Sequence, residues 1–429
     1  MLYKLLFKIG QRLRNPSLEN WLYFLKKTEN WSLDTIHEYQ LKKLQELVKI
    51  AYKQSDYYKK RFDEIGINPS EIINLEGIQK LPILTKTDVL RNKSAILTNI
   101  KFDKVFEANT SGSTGQSLNF LREESADSFN RASIFRGYSW YKVNPWELNG
   151  YFWGYNLSLF KRLKFNLLDK IQHRFRIFSF EEKALFEFIK KLKKASYLHG
   201  YSSMIYEVAK FINKKGLTKQ FHLKMIKGTS EKILASYQSE VEKAFGKKII
   251  SEYGAAETGI IAFECTKGNM HINMEGVIVE EIDNEIVVTN LQMTSFPIIR
   301  YKLGDYIKLA PKEEKCSCGM HHQIIKEVTG RVGSVIYGYK NNYPSLYIYY
   351  IFKNLGIKYS LFLTYQVVQK IKGELIFKIE EVLDGNAKLL LEKETKKHFK
   401  QDITFNILDN QNLNSNKKQK MKSFISEII

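Results

Sequence analysis

The chain has 429 residues, of which 44% are hydrophobic and 13% aromatic, and its formal net charge is +21 at pH 7. Such a length exceeds the size at which one core keeps growing, so two domains are expected, and the apolar content excludes a disordered chain. The 3 cysteines exclude a disulfide scaffold and favour a reducing, cytoplasmic location.

The positive charge alone does not indicate nucleic-acid binding. Lysine predominates over arginine, as an AT-rich coding sequence would also produce, and no nucleic-acid-binding module is present, so no nucleic-acid partner is expected. Residues 1–27 mix basic, aliphatic and aromatic side chains. This mix fits a peripheral, membrane-contacting helix or a helix whose apolar face packs on the core, and both interpretations stay open. No apolar run approaches the ~20 residues of a membrane span.

Hydrophobic spacing predicts helices in the first third of the chain, at 35–65, 71–92 and 122–143. Leu81-Pro82 breaks the second of these before Thr85-Lys86-Thr87-Asp88, a predicted helix N-cap region. An aromatic strand is predicted at 150–155. Further on, predicted helices alternate with short apolar strands: helices at 181–194, 202–215 and 231–245, strands at 196–199, 224–227 and 248–251. This alternation is typical of an α/β sheet with helices on its faces.

From about residue 276 the pattern changes to strands alone, at 277–282, 285–289 and 298–301, with Asp283-Asn284 turning the first pair. The last hundred residues have the order α-β-β-α-β, at 344–355, 361–369, 373–380, 384–399 and 402–408. The sequence therefore predicts an α/β protein with a large, multi-sheet domain over 1–330, helical in 1–100, and a small α+β domain over 331–429.

One hydroxyl- and glycine-rich segment stands between two apolar runs: Thr110, Ser111, Gly112, Ser113, Thr114 and Gly115. Glycines let the backbone approach a ligand, and successive N–H groups with hydroxyls form a surface that suits phosphate. No lysine follows Gly115, so this is not a Walker loop. Taken alone, the same composition also fits an ordinary solvent-exposed loop.

Four further polar clusters follow predicted strands: Gly228-Thr229-Ser230-Glu231, Tyr253-Gly254-Ala255-Ala256-Glu257, Arg300-Tyr301-Lys302-Leu303-Gly304-Asp305 and Gly330-Arg331. In this order and spacing, the five segments resemble the signatures of the adenylate-forming superfamily. More closely, the sequence resembles the phenylacetate-CoA ligase family in its capsular-polysaccharide-biosynthesis (CapK-like) branch. The resemblance extends from about residue 35 to the end, and Leu81-Pro82-Ile83-Leu84-Thr85-Lys86 supports it.

The resemblance implies that ATP activates a carboxylic acid, giving an acyl-adenylate and pyrophosphate. The acyl group would pass to coenzyme A or to an amine, such as an amino sugar in surface-polysaccharide assembly. Two alternatives stay open, namely AMP transfer to a cofactor hydroxyl and a degenerate nucleotide-binding scaffold protein. The sequence does not identify the acyl substrate, and Tyr151, Trp153 and Tyr155 fit either an acyl pocket or a buried aromatic strand.

The resemblance also implies residue roles. The segment 110–115, with Thr110 in a catalytic role, would bind the phosphates, and Glu257 would hold Mg²⁺, which prefers carboxylate oxygen. Tyr253 and Gly254 would border the adenine on one side and Gly228 and Ser230 on the other. Asp305 would bind the ribose hydroxyls, and Arg331 would mark the hinge. Each also has a plainer interpretation: Glu257 as a helix-start carboxylate, Asp305 as a turn former and Tyr253 as core.

The superfamily uses a lysine of the small, rotating domain, and the ending Phe424-Ile425-Ser426 points to Lys420, with Lys418 as runner-up. Three positions depart from the family pattern. Gln419 replaces a glycine, Ser117 replaces a proline, and Gly333-Ser334 replace an acidic pair. These departures would loosen the loop and the hinge, and they leave the domain rotation open.

The three cysteines give a separate signal, because Cys265, Cys316 and Cys318 all lie near histidines. A Cys₃His set satisfies tetrahedral Zn²⁺, and a shell without an open position indicates a structural site. We expect His271 as the fourth ligand ahead of His321 or His322, with unmetallated thiols as the alternative. A catalytic cysteine is disfavoured, since no separate base and orienting carboxylate accompany it.

Overall fold

The computed structural model describes residues 1–109, 118–152, 159–177, 181–218, 220–331, 335–413 and 422–428, with the backbone alone at 159–164, 330, 331, 344 and 346. The chain forms two compact units. The first comprises Met1–Trp146, Glu252–Leu303 and Ile307–Val328; the second comprises Glu147–Ser251, Gly304–Tyr306 and Thr329–Ile429.

The first hundred residues are helical, as expected. They form α1 (Leu2–Arg14), α2 (Leu18–Thr28), α3 (Leu33–Gln54), α4 (Asp56–Glu64), two 3₁₀ helices at Pro69–Glu71 and Leu75–Lys80, α5 (Lys86–Arg91) and α6 (Lys93–Ile96). The predicted helix 35–65 breaks at Ser55, which is extended (φ −122°, ψ 119°). Within 71–92 the predicted break at Leu81-Pro82 and the N-cap at Thr85 are confirmed, but the part before the break is wrong, because it forms a short 3₁₀ helix capped by Asn74.

The segment that follows begins with a β-hairpin and then becomes an alternating α/β segment. Its elements are β1 (Val105–Asn109), β2 (Asn119–Glu123), α7 (Glu124–Trp140), β3 (Asn149–Phe152), α8 (Leu159–Ile171), β4 (Arg174–Arg176), α9 (Glu182–Leu192), β5 (Tyr197–Tyr201), α10 (Ser202–Lys214), β6 (Met225–Thr229) and α11 (Ala235–Phe245). Within the second unit β3 pairs in parallel with β4 and β5, and β5 pairs in parallel with β6. The α/β prediction is therefore confirmed.

The next strands are β7 (Ile250–Ala255), β8 (Gly259–Glu264), β9 (Met270–Ile272), β10 (Val277–Ile282), β11 (Glu285–Asn290), β12 (Tyr301–Leu309) and β13 (Ile324–Arg331). Of these, β10 pairs with β11 in antiparallel register, as predicted, and the pairs β7–β8, β8–β9 and β9–β13 are also antiparallel. Asp283 and Asn284 turn β10 into β11 with φ of 53° and 62°, the left-handed values that a two-residue hairpin requires. The strand predicted at 298–301 begins only at Tyr301, since Arg300 has a φ of 48°.

The C-terminal part contains β14 (Val335–Tyr337), β15 (Asn342–Pro344), α12 (Leu346–Tyr359), β16 (Tyr365–Gln369), β17 (Glu374–Ile379), α13 (Gly385–Phe399), β18 (Thr404–Leu408) and β19 (Phe424–Ser426). The predicted α-β-β-α-β order is present. Its sheet has the order β18-β17-β16-β19, in which β19 joins β16 in parallel. Buried apolar residues of this part share one core with those of α9, α10 and α11 in the second unit.

Candidate active site

The β1–β2 hairpin brackets the segment predicted to bind phosphate. The two strands pair in antiparallel register, and Asn109 lies opposite Asn119 at the open end of the ladder. The residues that join them lie outside the described part of the chain: Thr110, Ser111, Gly112, Ser113, Thr114, Gly115, Gln116 and Ser117. The segment 110–115 therefore connects the two strands of a hairpin, and its predicted role stays a prediction.

The turn between β7 and β8 carries Glu257, the predicted magnesium ligand. Glu257 is buried, and its Oε1 accepts a hydrogen bond from the Tyr301 hydroxyl at 3.2 Å. The interpretation of Glu257 as a helix-start carboxylate is wrong, because a strand follows the turn. Since Tyr301 belongs to the Arg-Tyr-x-x-Gly-Asp segment, this bond joins two motifs that are 44 residues apart.

Three side chains from distant elements hold the backbone of this turn. Arg122, on β2, donates to the Ala256 carbonyl. Asn290, at the end of β11, donates to the Thr258 carbonyl at 3.1 Å, and Asn130, on α7, accepts from the Ile260 N–H at 2.7 Å. The carboxylate of Glu257 is thus carried on a turn whose backbone is fixed on both sides. Arg122 also ties that turn to the hairpin that carries residues 110–117.

Tyr253 and Gly254 lie on β7, directly before this turn. Tyr253 is half-buried and packs against the apolar core of the first unit, which agrees with its plainer interpretation as core. A β-bulge separates Tyr253 from Gly254. A Cβ at Gly254 would lie 2.4 Å from the Gly259 carbonyl oxygen. Only glycine therefore allows β7 and β8 to approach so closely here.

Arg300 anchors the segment that precedes β12. Its guanidinium binds both Glu280 carboxylate oxygens, at 3.0 and 2.8 Å, and donates to the Leu81 carbonyl at 2.6 Å and to that of Gln79 at 2.9 Å. The backbones are also joined, because the Leu84 N–H donates to the Arg300 carbonyl at 2.9 Å. Side-chain and backbone hydrogen bonds therefore join Arg300 to the Leu81–Lys86 segment.

The remaining predicted nucleotide-binding residues belong to the second unit. Gly228 lies near the end of β6, where a Cβ would come within 2.4 Å of the Ser202 hydroxyl. Ser230 follows with a φ of 65° and is exposed. Asp305 is half-buried and lies within β12, so the alternative interpretation as a turn former is wrong.

The C-terminal motifs are only partly described. Arg331 is the last residue of β13, and the structure gives its backbone position alone. Lys418, Gln419 and Lys420 lie outside the described residues, as do Gly333 and Ser334. The predicted catalytic lysine therefore stays a prediction. The segment used to align it, Phe424-Ile425-Ser426, is β19.

The structure brings the three cysteines and one histidine together. The ligand atoms of Cys265, His271, Cys316 and Cys318 all lie within 4.8 Å of one another. Cys265 Sγ is 3.7 Å from Cys316 Sγ, and Cys318 Sγ is 3.3 Å from His271 Nε2. Cys265 directly follows the C-terminal end of β8, His271 lies on β9, and the other two cysteines lie in the loop between β12 and β13.

The groups around these four side chains orient them. His271 Nδ1 lies 3.1 Å from the His322 carbonyl oxygen, so the Nδ1–H tautomer donates there and directs the Nε2 lone pair towards the sulfurs. The Asn269 amide donates to Cys316 Sγ at 3.1 Å. Burial lowers the pKa of His271 to about 4, so the imidazole is neutral at pH 7.

A buried ion pair lies beside this cluster. Arg136 Nη1 is 2.6 Å from Glu275 Oε1, and the Thr28 hydroxyl donates to the same oxygen at 2.6 Å. His322 Nε2 lies 3.2 Å from Glu275 Oε2. Burial opposes ionisation of Glu275, but Arg136 and His322 hold its pKa well below the ordinary range. The His322 side chain is thus directed to Glu275, and the geometry favours His271 over His322 as a ligand.

Tyr151 does not lie in a purely aromatic strand. In the parallel sheet it is in register with Arg176 on β4 and His199 on β5. The guanidinium carbons of Arg174 and Arg176 lie 4.5 and 5.1 Å from its ring centre, and the His199 ring centre is 4.7 Å away. The surroundings of Tyr151 are therefore cationic. Trp153 and Tyr155 lie outside the described residues.

The sequence did not reveal the residues that support the site. Arg122, Asn130 and Asn290 bind turn backbone, and no motif marks such contacts. A signal for the buried ion pair does exist, because His271, Asn273 and Glu275 alternate with apolar residues, which is the pattern of polar side chains sharing one face of an extended segment.

No family model matches. The sequence is 25% identical to Protein CapK of Staphylococcus aureus over 296 residues, covering 64% of this chain and 63% of CapK. It is 30% identical to the phenylacetate-coenzyme A ligase of Pseudomonas putida over 93 residues, 21% of each chain. The chain thus spans less than two thirds of the curated relatives that it matches.

The fold gives a broader match. A 2-hydroxyisobutyryl-CoA ligase, solved in a postadenylation state with 2-HIB-AMP, superposes with a TM-score of 0.70 over 94% of this chain and 92% of its own, at 16% identity. That likeness shows the fold. The sequence matches are to the two kinds of protein that the ordered motifs resemble, CapK and phenylacetate-coenzyme A ligase. The chain therefore has the fold of an adenylate-forming acyl-CoA ligase and is similar in sequence to CapK and to phenylacetate-coenzyme A ligase.

Proposed function

We propose that this protein activates a carboxylic acid with ATP, forming an acyl-adenylate and pyrophosphate, and transfers the acyl group to coenzyme A or to an amine. The observation that carries the proposal is the hydrogen bond from the Tyr301 hydroxyl to Glu257, 3.2 Å long. This bond joins a carboxylate of one predicted motif to a tyrosine of another. The shared fold with an acyl-CoA ligase supports the same conclusion.

Glu257 suits magnesium. Its carboxylate is buried on a turn that three side chains fix, and the Tyr301 hydroxyl donates to Oε1. In the proposal, Oε2 binds a hard cation, which would neutralise charge on the ATP phosphates. Thr110 and the rest of the segment 110–115 would supply hydroxyl and N–H donors to those phosphates.

The predicted motifs supply the remaining proposed contacts to the adenine and the ribose. In the proposal Tyr253 and Gly254 border one side of the adenine, and Gly228 and Ser230 border the other. Asp305 accepts hydrogen bonds from the two ribose hydroxyls, since a carboxylate offers two acceptor oxygens.

The small domain would supply the last catalytic group. We assign residues 331–429 to this domain, Arg331 to its hinge and Lys420 to the ammonium that contacts the nucleotide during adenylation, with Lys418 as the alternative. Its rotation would expose the acyl-adenylate to the acceptor.

We also assign a structural Zn²⁺ to the four residues Cys265, His271, Cys316 and Cys318. Three thiols and an imidazole within 4.8 Å of one another match the tetrahedral Cys₃His set. Four protein ligands would fill the shell of the metal, so its role would be to join β8 and β9 to the loop that follows β12.

The biological setting is proposed on sequence similarity alone. The ordered motifs resemble the CapK-like branch, and Protein CapK matches 64% of the chain at 25% identity; on that resemblance we place the activity in the cytoplasm, in surface-polysaccharide assembly with an amino sugar as acceptor. Two other activities are separable by experiment, namely AMP transfer to a cofactor hydroxyl and nucleotide binding without catalysis.

ATP–pyrophosphate exchange tests the proposal. The full chain is assayed with a panel of carboxylic and amino acids, each with and without coenzyme A. Exchange that depends on a carboxylic acid is expected. An adenylated product without a carboxylate would instead support AMP transfer to a hydroxyl, and absence of ATP binding would support the scaffold protein.

Matched variants connect the assay to the site. We expect Glu257→Gln and Asp305→Asn each to lower exchange by about 100-fold, the scale on which one pre-aimed electrostatic group contributes to catalysis. Asp283→Asn is the control, because Asp283 lies in the exposed β10–β11 turn and Asn also adopts its φ of 53°. Exchange that survives both site variants would contradict the assignment.

A further inference from the structure

The N-terminal helix α1 exposes an apolar stripe to solvent. Leu2, Leu5, Ile9 and Leu13 are 62%, 58%, 49% and 74% exposed. Their spacing of three, four and four residues places them within about 80° of the helix circumference, at 3.6 residues per turn. Aliphatic side chains that pack on a core would be buried, so core packing does not explain this face of α1.

The rest of α1 is fixed to the protein by its other side. Phe7, about 150° around the helix from the stripe, packs on Phe135 and Trp146 with ring centroids 5.7 and 5.6 Å apart. At the end of the helix Lys104 donates to the Leu13 carbonyl at 2.6 Å, and the Arg14 guanidinium lies 4.3 Å from the Phe106 ring centre. The stripe therefore faces away from the surface on which α1 rests.

Charge complements this arrangement. Helix α1 contains Lys4, Lys8, Arg12 and Arg14 and no acidic residue. Lys8 and Arg12 are exposed and lie along one edge of the stripe, about 60° and 20° from Leu5 on the helical wheel. Lys8 Nζ also lies 3.6 Å from the Glu19 carboxylate, an exposed pair that contributes little and that lipid phosphate can replace. Basic side chains that flank an exposed aliphatic row are typical of a helix that lies in the headgroup layer of an anionic bilayer. No helix among the described residues has the length and apolar character to cross a membrane.

We propose that α1 docks this protein on the surface of an anionic lipid bilayer, with Leu2, Leu5, Ile9 and Leu13 inserted among the acyl chains and Lys8 and Arg12 at the lipid phosphates. A second protein copy would cover the stripe but would gain nothing from two such basic flanks, which repel each other. A polyanion such as nucleic acid would use the charges but not the aliphatic row. The inference does not depend on the proposed ligase activity.

Vesicle flotation of the full chain tests the docking. The probes are vesicles of phosphatidylcholine alone and vesicles that contain about 30 mol% phosphatidylglycerol, which carry the negative surface potential that attracts basic segments. We expect binding to the anionic vesicles that weakens as salt is raised, and at least tenfold weaker binding to the neutral ones. Absence of binding to the anionic vesicles would overturn the proposal.

Three variants separate its parts. The variant with Leu5→Gln, Ile9→Gln and Leu13→Gln removes the apolar stripe, and we expect at least a tenfold loss of binding. Lys8→Gln with Arg12→Gln removes the flanking charge, and we expect a similar loss that makes binding insensitive to salt. The control changes two exposed residues of the same unit, Ile65→Gln with Ile73→Gln, and is expected to bind like the parent chain.

The stripe variants are not expected to unfold, because the substituted side chains are exposed, and thermal unfolding checks this. Retained binding by the stripe variant would overturn the proposal and leave a purely electrostatic contact. Sedimentation velocity without lipid tests the alternative that a second protein copy covers the stripe. A dimer that disappears when the stripe is replaced would also overturn it, in favour of self-association.

Discussion

At the scale of single residues, the site depends on side chains that hold other protein groups. Tyr301 contacts the Glu257 carboxylate, and Arg300 fixes the backbone before Tyr301 by binding Glu280 and two carbonyls. Removing one partner of a buried arginine–carboxylate pair strongly destabilises a protein, because the other charge stays buried and unpaired. The position of Glu257 is therefore set by a chain of contacts that begins at Leu81.

The hydroxyl of Tyr301 should matter for metal binding. We expect Tyr301→Phe to raise the Mg²⁺ concentration for half-maximal pyrophosphate exchange by about fivefold, since one hydrogen bond contributes about 1 kcal/mol. The maximal exchange rate at saturating Mg²⁺ should change less, because Tyr301 positions the carboxylate and is not itself a ligand.

Tyr58→Phe is the control for this change. Tyr58 is equally buried, and its hydroxyl contacts backbone groups: it donates to the Pro297 carbonyl at 2.9 Å and accepts from the Ile299 N–H at 3.3 Å. It should lower thermal stability and leave the Mg²⁺ requirement unchanged. An equal change in the Mg²⁺ requirement of both variants would indicate general loosening instead of positioning.

Single residues also show what the sequence could reveal about the site. Glu257 and Asp305 could be predicted because the chemistry of ATP constrains their type and order along the chain. Arg122 and Asn290 could not, since any residue with a suitable donor can hold a backbone carbonyl. Their partners at Ala256 and Thr258 become neighbours only when β2 and β11 have folded.

At the scale of secondary-structure elements, local signals predicted the regular segments and failed where distant contacts decide. The β10–β11 hairpin agreed closely with the prediction, because Asp283-Asn284 favours the turn and the β-branched residues on both sides of it favour strands. The helix predicted before the break at Leu81-Pro82 did not agree, since Ile78, Leu81 and Leu84 are buried in the core of the first unit. Their burial comes from contacts with residues near 300, which no local periodicity encodes.

The proposed zinc site is a test at this scale, because it would join β8, β9 and a loop. We expect one zinc per chain by atomic emission, and chelation should lower the unfolding temperature while far-UV circular dichroism stays nearly native. His271→Ala should lose the metal, whereas His321→Ala should keep it, since His321 is exposed beside the cluster.

A chain that holds no zinc after purification in zinc-containing buffer would favour free thiols. Loss of metal in His321→Ala with retention in His271→Ala would instead assign the fourth ligand to the exposed histidine. Thiol titration with and without chelator distinguishes these cases, because bound thiolates are protected from reagent.

At the scale of the whole molecule, the C-terminal part is docked within the second unit. The Thr364 hydroxyl donates to Ser236 Oγ at 2.8 Å and lies 3.3 Å from the Tyr206 hydroxyl. Lys210, on α10, pairs with Glu380 at the end of β17. If the small domain rotates as proposed, these contacts must break. The free energy needed to break them would then limit the rate at which the acyl group passes to its acceptor.

A charge placed at this contact should release the domain. Ser236 lies in the first turn of α11, where an aspartate suits the helix but would be buried against Thr364. We expect Ser236→Asp to increase the radius of gyration in small-angle scattering and to leave the circular dichroism spectrum unchanged.

Ser239→Asp adds the same charge to an exposed position of the same helix, and it should leave the radius of gyration at the value of the parent chain. If Ser236→Asp scatters like its control, the C-terminal part does not leave this docking surface under the conditions tested.

The bridge between Leu84 and Arg300 has a consequence for synthesis on the ribosome. The two residues are 216 positions apart (300 minus 84), yet their backbones are hydrogen-bonded. At typical elongation rates the later residue follows the earlier one by roughly 10 to 40 s. The helical N-terminal segment therefore emerges long before its partner, and nascent chains shorter than about 300 residues should engage chaperones more strongly than longer ones.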